Sequence, residues 1–178
     1  MALPPGGVLQ ATHEGEQALV AAVLAAVEAA EQAAGRRPCS VADLFCGAGA
    51  FTFPLARAGA RVHAVDADAT LLHALTAARG TRRITAEQRD LFTRPLSASE
   101  LRGFDAVVFD PPRAGARAQA AELARSAVPV VAAVSCNPST FARDVRILAD
   151  GGYRLEKVTP IDQFLWSPHL ELVGVFRR

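Results

Sequence analysis

The fold of this chain is decided by residues 128–138, which read VPVVAAVSCNP. The first seven of them form a short run of apolar and β-branched side chains, which is typical of a strand buried on both faces. A helix is predicted to follow over residues 140–149. A strand of this kind belongs to a mainly parallel sheet with helices on both sides, so the segment indicates an α/β protein.

Cys136 lies immediately after this predicted strand and beside the amino end of the predicted helix. In open α/β sheets, ligands bind in the crevice at the carboxyl ends of the strands. A helix amino terminus lowers the pKa of a nearby thiol, and the thiolate is the reactive form. Cys136 is therefore a candidate nucleophile. A free cysteine is also a common packing residue, and position alone does not separate the two interpretations.

The rest of the chain extends the same pattern on both sides of this segment. Repeated strand-helix alternation predicts a doubly wound, mostly parallel sheet of seven strands. The last two strands have no helix between them and are expected to pair antiparallel. Residues 1–12 are predicted to be irregular, and residues 13–178 to form one domain. Further strands are predicted at residues 40–45, 61–65, 83–88, 104–109, 154–161 and 170–176, and helices at residues 13–34, 50–58, 69–79, 97–101 and 117–126.

Composition excludes several classes of protein. The net charge of +1 lacks the basic footprint expected of a self-sufficient nucleic-acid binder. No run reaches the roughly 18 apolar residues of a membrane span, and no secretory signal is visible. Three cysteines at spacings unlike a zinc site argue against a metal centre or a disulfide framework. We expect a cytoplasmic monomer without metal.

The second informative stretch, residues 43–49, reads DLFCGAG. Gly47 and Gly49 allow a tight turn and close approach of a ligand between a strand and a helix. Thr52 stands where a dinucleotide fingerprint would have another glycine. Asp66 follows the next strand, where an acidic residue accepts hydrogen bonds from ribose hydroxyls. These residues favour an adenosine-containing cofactor over a plain tight turn with a solvated aspartate.

The third stretch, residues 110–113, reads DPPR and follows another predicted strand. Two prolines make a stiff wall with few backbone donors, which suits a flat heteroaromatic ring with a polar contact from Asp110. A proline-rich turn that merely ends the strand explains the pattern equally well.

Glu171 begins the last predicted strand, just before two apolar residues. A carboxylate facing the crevice would have a raised pKa, as a general base requires. A solvated glutamate at a strand end is the alternative. His169 would orient Glu171 or cap the strand, and Phe164 and Trp166 would stack on a base or pack beneath their loop.

Together these stretches resemble the uracil-5 RNA methyltransferase family, whose members use S-adenosyl-L-methionine to make 5-methyluridine in tRNA and rRNA. The resemblance rests on residues 43–51, 110–115, 135–144 and 160–171, which occur in the family order. The Ser-Cys-Asn-Pro and His-x-Glu elements are its specific parts. It implies a Rossmann-like class I methyltransferase fold.

The resemblance carries over residue by residue. It makes Cys136 the nucleophile and Glu171 the base. The predicted cofactor contacts are Gln10, Phe45, Gly47, Gly49, Asp66 and Asp110. The predicted substrate contacts are Asp110, Pro111, Asn137 and Pro138. Ala50 departs from the pattern, because some members have a polar residue there that contacts the cofactor.

Family enzymes also carry an N-terminal RNA-binding barrel, a central domain and, in some members, a four-cysteine iron–sulfur site. None of these is visible here, so we expect a catalytic domain that binds RNA weakly by itself. Two other functions stay open. An amino-group methyltransferase that uses Asp-Pro-Pro would need no cysteine nucleophile. A non-catalytic accessory domain would bind the cofactor or RNA without forming a covalent adduct.

Overall fold

A computed structural model describes residues 12–35, 39–162 and 170–178 of the chain. Gln10 lies outside the described residues, as do Phe164, Trp166 and His169. The helices are α1 His13–Ala34, α2 Thr52–Arg57, α3 Ala69–Ala78, α4 Arg117–Arg125 and α5 Pro138–Asp150. The strands are β1 Ser40–Leu44, β2 Arg61–Asp66, β3 Ile84–Gln88, β4 Ala106–Phe109, β5 Val130–Ser135, β6 Arg154–Ile161 and β7 Glu171–Arg177.

These seven strands form one sheet in the order β3-β2-β1-β4-β5-β7-β6. The five strands from β3 to β5 are parallel, whereas β7 pairs antiparallel with both β5 and β6. The predicted α/β sheet with an antiparallel final pair is therefore confirmed. The chain passes from β1 to β2 on one side of the sheet centre and from β4 to β5 on the other side. Because the two connections run in opposite directions, a crevice opens between the carboxyl ends of β1 and β4.

β5 shows why an apolar run of this length forms a central strand. All six of its residues are buried, and their side chains alternate between two separate cores. Val130, Ala132 and Val134 face one core, which α1, α2 and α3 cover. Val131 and Ala133 face the other, which α4 and α5 cover. A strand that is apolar on both faces is thus explained by helices on both sides of the sheet.

Helix ends follow capping signals in the sequence. Thr12 caps α1 through a hydrogen bond from the backbone N–H of Gly15, and Gly35 ends the helix with a left-handed backbone. α5 begins two residues before its predicted start. Asn137 caps it by accepting from the Ser139 N–H at 3.0 Å, and Pro138 occupies the first turn, where its missing N–H costs nothing.

Two predicted helices differ in the structure. α2 is shorter than expected, because the glycine turn before it extends through Phe51. The helix predicted at residues 97–101 is wrong: this segment forms turns between β3 and β4. Ser97 and Glu100 bond to each other as at a helix start, but Gly103, with a φ of +98°, follows after a single turn.

Candidate active site

The turn after β1 has the backbone of a ligand cradle. Phe45 adopts a φ of +60°, which is uncommon for a residue with a side chain and is often found at functional sites. Gly47 and Gly49 also have positive φ. A Cβ on Gly49 would lie 2.9 Å from the Phe53 ring, so the chain needs glycine there for space as well as for conformation.

Asp66, at the end of β2, is held against this turn. One of its carboxylate oxygens accepts from the Gly47 N–H at 2.8 Å, and the other accepts from the Asp68 N–H at 2.9 Å. The carboxylate therefore has a fixed direction beside the glycines. Each oxygen keeps a lone pair that could accept a ligand hydroxyl.

Asp43 is a site residue that our sequence analysis missed. It lies inside β1 and is fully buried, and its Oδ2 accepts from Thr52 Oγ1 at 2.5 Å. Among the described residues its Oδ1 has no hydrogen-bond partner. Burial raises the pKa of Asp43 to about 7, and the negative charge of Asp66 adds to this, while the Thr52 bond opposes it. An acidic residue within an otherwise apolar strand was the available signal.

Three other predicted residues meet at the ends of β4, β5 and β7. Asp110 directly follows β4, and its N–H donates to Leu44 O of β1 at 3.2 Å. Cys136 directly follows β5 and is half-buried. Ser135 pairs with Leu172 in the β5–β7 ladder, so the next step along the two strands brings Glu171 beside Cys136. Glu171 is buried, which excludes the solvated alternative.

The electrostatics of Asp110, Cys136 and Glu171, which we call the trio, contradict the expected direction of the Cys136 pKa shift. The helix amino terminus was predicted to lower the pKa of the Cys136 thiol. Instead, burial raises this pKa, and the charges of Glu171 and Asp110 raise it further. A backbone hydrogen bond and the charge of Arg113 lower it, but by less. Desolvation raises the pKa of Asp110 to about 7, with contributions from Glu171 and Asp43.

Asn137 and the prolines surround the same crevice. The Asn137 side chain is largely engaged, because it caps α5 and its Nδ2 donates to Arg113 O at 3.0 Å. Pro138 is exposed at the start of α5, and Pro111 is buried. Contacts of these residues with a substrate stay predictions.

Phe92 is a second residue that our sequence analysis missed. It follows β3 at the same edge of the sheet and is 47% exposed, which is unusual for a phenylalanine. Its ring lies 5.4 Å from that of Phe45, tilted by 56°. The position after a predicted strand, next to Asp90 and Leu91, was the available signal. This aromatic pair borders the crevice on the β1 side.

The other cysteines are packing residues. Cys39 and Cys46 are both buried, and burial together with the charges of Asp43 and Asp66 keeps the pKa of Cys46 far above its usual range. Within residues 12–35, 39–162 and 170–178, no group of His, Cys, Asp and Glu could hold a metal ion. The helices in this part of the chain are too short or too polar to cross a membrane.

A cavity of about 660 Å³ lies away from this site, near the amino ends of β1, β2 and β3. Its lining includes Arg61, His63, Arg83 and Phe104, and none of the predicted site residues. We place the candidate active site at the carboxyl ends of the parallel strands instead, because the titratable side chains, the glycine turn and the strand crossover meet there.

Comparisons with known proteins agree with this architecture. Residues 17–178 match a family model described as tRNA (Uracil-5-)-methyltransferase. An uncharacterised RNA methyltransferase of Agrobacterium fabrum is 52% identical over 98% of this chain, and the match covers 41% of that protein. A 23S rRNA (uracil(1939)-C(5))-methyltransferase of Alteromonas naphthalenivorans is 36% identical over 78% of this chain and 30% of its own length. The chain thus spans about two fifths of the length of the first of these relatives.

Solved structures give the same result. The tRNA (uracil-54, C5)-methyltransferase of Pyrococcus abyssi, in complex with S-adenosyl-L-homocysteine, matches 98% of this chain and 40% of its own, with a TM-score of 0.82 and 29% identity. A magnesium protoporphyrin IX methyltransferase of Synechocystis PCC 6803, solved with bound SAM, covers 93% of this chain and 81% of its own, with a TM-score of 0.67 and 21% identity, a likeness of fold alone. The sheet order, the motifs and the family match together show that this chain belongs to the tRNA (uracil-5-)-methyltransferase family.

Proposed function

We propose that this chain is a catalytic domain that methylates carbon 5 of a uridine in RNA, using S-adenosyl-L-methionine and a covalent adduct with Cys136. The observation that carries the proposal is the meeting of Cys136, Asp110 and Glu171 at the ends of three adjacent strands. The two alternative functions need fewer groups. An amino-group methyltransferase needs no thiol, and binding the cofactor alone requires neither a thiol nor a buried glutamate.

The residues at β1 and β2 fit this cofactor. S-adenosyl-L-methionine supplies an electrophilic methyl group on a sulfonium, and it also carries an ammonium group and a ribose. Asp66 beside the glycine turn suits the ribose hydroxyls. The fully buried Asp43 Oδ1 has no hydrogen-bond partner in the part of the chain that the structure describes, so it suits a cationic or donating group. Asp43, Asp66 and Asp110 give this crevice an anionic character that matches a cationic ligand.

The trio fits the chemistry of uracil. Carbon 5 of uracil is a weak nucleophile until the Cys136 thiolate bonds to carbon 6 and places an enolate across the ring. Carbon 5 would then accept the methyl group as its bond to the sulfonium sulfur breaks, which would leave the neutral thioether S-adenosyl-L-homocysteine. Glu171 removes the carbon 5 proton, the bond between sulfur and carbon 6 breaks, and the ring double bond returns. The thiolate is thereby regenerated without any oxidant or reductant.

The raised pKa of the Cys136 thiol fits a site that becomes reactive only after the cationic cofactor has bound. With Glu171 and Asp110 as neighbours, the Cys136 thiolate is disfavoured in the ligand-free chain. A bound cation offsets that repulsion. Asp110, with a pKa of about 7, is protonated in part of the molecules at neutral pH and can then donate a hydrogen bond to a uracil carbonyl.

RNA is the substrate class that we propose. The two relatives with stated targets act on tRNA and on 23S rRNA, so the proposal extends to either RNA and not to one nucleotide position. A uridine must leave its stack to reach a crevice of this kind. Since the chain spans about two fifths of the Agrobacterium relative, we propose that RNA affinity depends mainly on the remainder of a longer protein.

Trapping with RNA that contains 5-fluorouridine tests the proposal. Fluorine at carbon 5 leaves no proton for Glu171 to remove, so the adduct persists through denaturation. We expect a protein–RNA species that depends on cofactor and is absent from Cys136→Ala. Methylation of an exocyclic amine without any adduct would support the amino-group alternative, and cofactor binding without either product would support an accessory domain.

Replacing Glu171 tests the base in the same assay. Glu171→Gln removes the proton acceptor but leaves Cys136 in place. With ordinary uridine RNA we expect methyl transfer followed by slow release, by roughly 100-fold or more, so that a methylated covalent species accumulates. Mass spectrometry of the trapped complex reports its mass. Release at the wild-type rate would assign the base to another group, with Asp110 the next candidate.

A further inference from the structure

The second half of the Ser-Cys-Asn-Pro stretch has contacts that the proposed chemistry does not use. We define the proline loop as residues 110–116, which read DPPRAGA and follow β4. Two prolines leave this loop few backbone donors of its own. Asn137 Nδ2 and Thr140 Oγ1 both donate to the carbonyl of Arg113, at 3.0 and 3.2 Å. The first turn of α5 therefore holds the middle of the loop.

The second turn of α5 holds the end of the same loop. Arg143 Nη2 donates to the carbonyl of Ala114 at 3.0 Å, and Arg143 Nε donates to Asp144 Oδ1 at 2.9 Å. The other oxygen of Asp144, Oδ2, accepts from the Ala116 N–H at 2.7 Å. Asp144 is 4% exposed, so this backbone N–H has no access to water as a substitute.

Gly115 brings the loop close to these two side chains. Its φ is +75°, and a Cβ at this position would lie 2.7 Å from Asp144 Oδ2 and closer still to Arg143 Nη2. A larger residue would force the loop away from α5. These hydrogen bonds and the close approach at Gly115 hold residues 113–116 of the proline loop and residues 137–144 together as one unit.

The two ends of this unit are the two halves of the proposed site. Asp110 and Pro111 begin the proline loop, and Cys136 directly precedes α5. The β4–β5 ladder ends at the pair of Phe109 and Ala133, so it does not extend to either reactive position. We propose that Arg143 and Asp144 are positioning residues that fix Asp110 and Pro111 relative to the Cys136 thiol. This inference rests on the proposed function.

A positioning role differs from two simpler roles. Arg143 would be only structural if its loss lowered stability and left the reaction rate of the folded protein unchanged. Arg143 would be an RNA contact if its loss raised the RNA concentration needed for half-maximal rate, since its side chain is 36% exposed. A positioning residue instead lowers the maximal rate of the step that needs both halves of the site.

The test compares Arg143→Ala and Arg143→Lys with Arg146→Ala. Arg146 is a matched control, because it lies on the same helix and pairs with Asp150 at 2.9 Å on the exposed face. The rate of adduct formation with 5-fluorouridine RNA is measured at saturating cofactor over a range of RNA concentrations. Alkylation of Cys136 by iodoacetamide, which needs neither RNA nor cofactor, reports on the accessibility and ionisation of the thiol. Thermal unfolding reports on stability.

For Arg143→Ala we expect the maximal adduct rate to fall roughly tenfold or more, with alkylation of Cys136 within about twofold of wild type. The maximal adduct rate of Arg143→Lys should lie between those of Arg143→Ala and wild type, because one ammonium cannot hold both Ala114 O and Asp144 as the planar guanidinium does. Arg146→Ala should match wild type. Asp144→Asn, which keeps an acceptor for the Ala116 N–H, should resemble Arg143→Lys.

Three results would overturn the inference. They are an unchanged maximal rate, a loss confined to the half-saturating RNA concentration, and a parallel loss of Cys136 alkylation. A wild-type chain that forms no adduct even at the highest RNA concentration would instead contradict the proposed function, whereas wild-type adduct formation with an unchanged maximal rate in Arg143→Ala would contradict this inference alone.

Discussion

The turns after β1 and β5 occupy equivalent places in the sheet, and each carries a cysteine, yet they differ in structure. After β1 the chain takes seven residues, from Phe45 to Phe51, to reach a six-residue helix without a side-chain cap. After β5 it takes two residues to reach a thirteen-residue helix capped by Asn137. The long turn leaves backbone free to surround a ligand, and the short turn fixes one side chain.

The two cysteines follow this difference. Cys46 is buried beneath the glycine turn, with its pKa raised by burial and by Asp43 and Asp66. Cys136 is half-buried and lies between Asp110 and Glu171. A position at the carboxyl end of a parallel strand therefore does not by itself give a thiol access to the crevice. The length of the turn and the neighbouring strand ends differ between the two cysteines.

The largest effect is expected from replacing each of the two cysteines in turn by alanine. Cys136→Ala should abolish both methylation and adduct formation while leaving cofactor affinity near wild type. Cys46→Ala should keep activity and lower the free energy of unfolding by about 1 kcal/mol, a typical cost for a buried substitution. Activity assays and urea unfolding measure both. Adduct formation by Cys136→Ala would contradict this prediction, because it would show that another residue is the nucleophile.

A smaller effect is expected at the β1 turn, where Asp66 represents the proposed cofactor-binding half of the site. Asp66→Ala should weaken cofactor binding by roughly 1.5–3 kcal/mol, the range for hydrogen bonds to a charged group. Isothermal titration with S-adenosyl-L-homocysteine measures this. Asp66→Asn, which keeps an acceptor for one backbone N–H, separates ligand contact from damage to the turn. Unchanged affinity in both variants would remove Asp66 from the cofactor site.

The effect most remote from catalysis concerns the stability of the ligand-free chain at different pH. The pKa of Asp43 rises from 3.8 to about 7 on folding, so between these values the native state binds more protons than the unfolded state. The free energy of unfolding should therefore fall as pH rises from about 4 through 7. Asp43→Asn should reduce this slope, whereas Asp150→Asn, on the exposed surface, should not. Urea titrations at pH 5 and pH 8 compare them.

Much of the fold could be predicted from the sequence, because its signals are local. Alternating strands and helices gave the sheet, and the missing helix before β7 gave its antiparallel direction. The early start of α5 was also readable in Asn137 and Pro138. The single turn at Ser97 could not be predicted, because the sequence has the signals of a helix start there and only the left-handed backbone of Gly103 prevents a longer helix.

The electrostatics of the site could not be predicted in the same way. The pKa of Cys136 depends on the register that sets Glu171 beside it and on the burial of Asp110. Neither is visible in the local sequence, where the helix amino terminus was the dominant signal. The environment of the Asp43 carboxylate likewise depends on how Thr52, at the start of α2, turns back toward β1.

The place of β7 in the sheet joins the outer edge of the sheet to the candidate site. β7 lies between β5 and β6, and among the described strands β6 pairs with β7 alone. The attachment of β6 to the sheet therefore depends on β7. The same strand carries Glu171, whose charge raises the pKa of the Cys136 thiol. A substitution that weakens the pairing of β7 would thus loosen both the edge of the sheet and the acidic neighbour of Cys136.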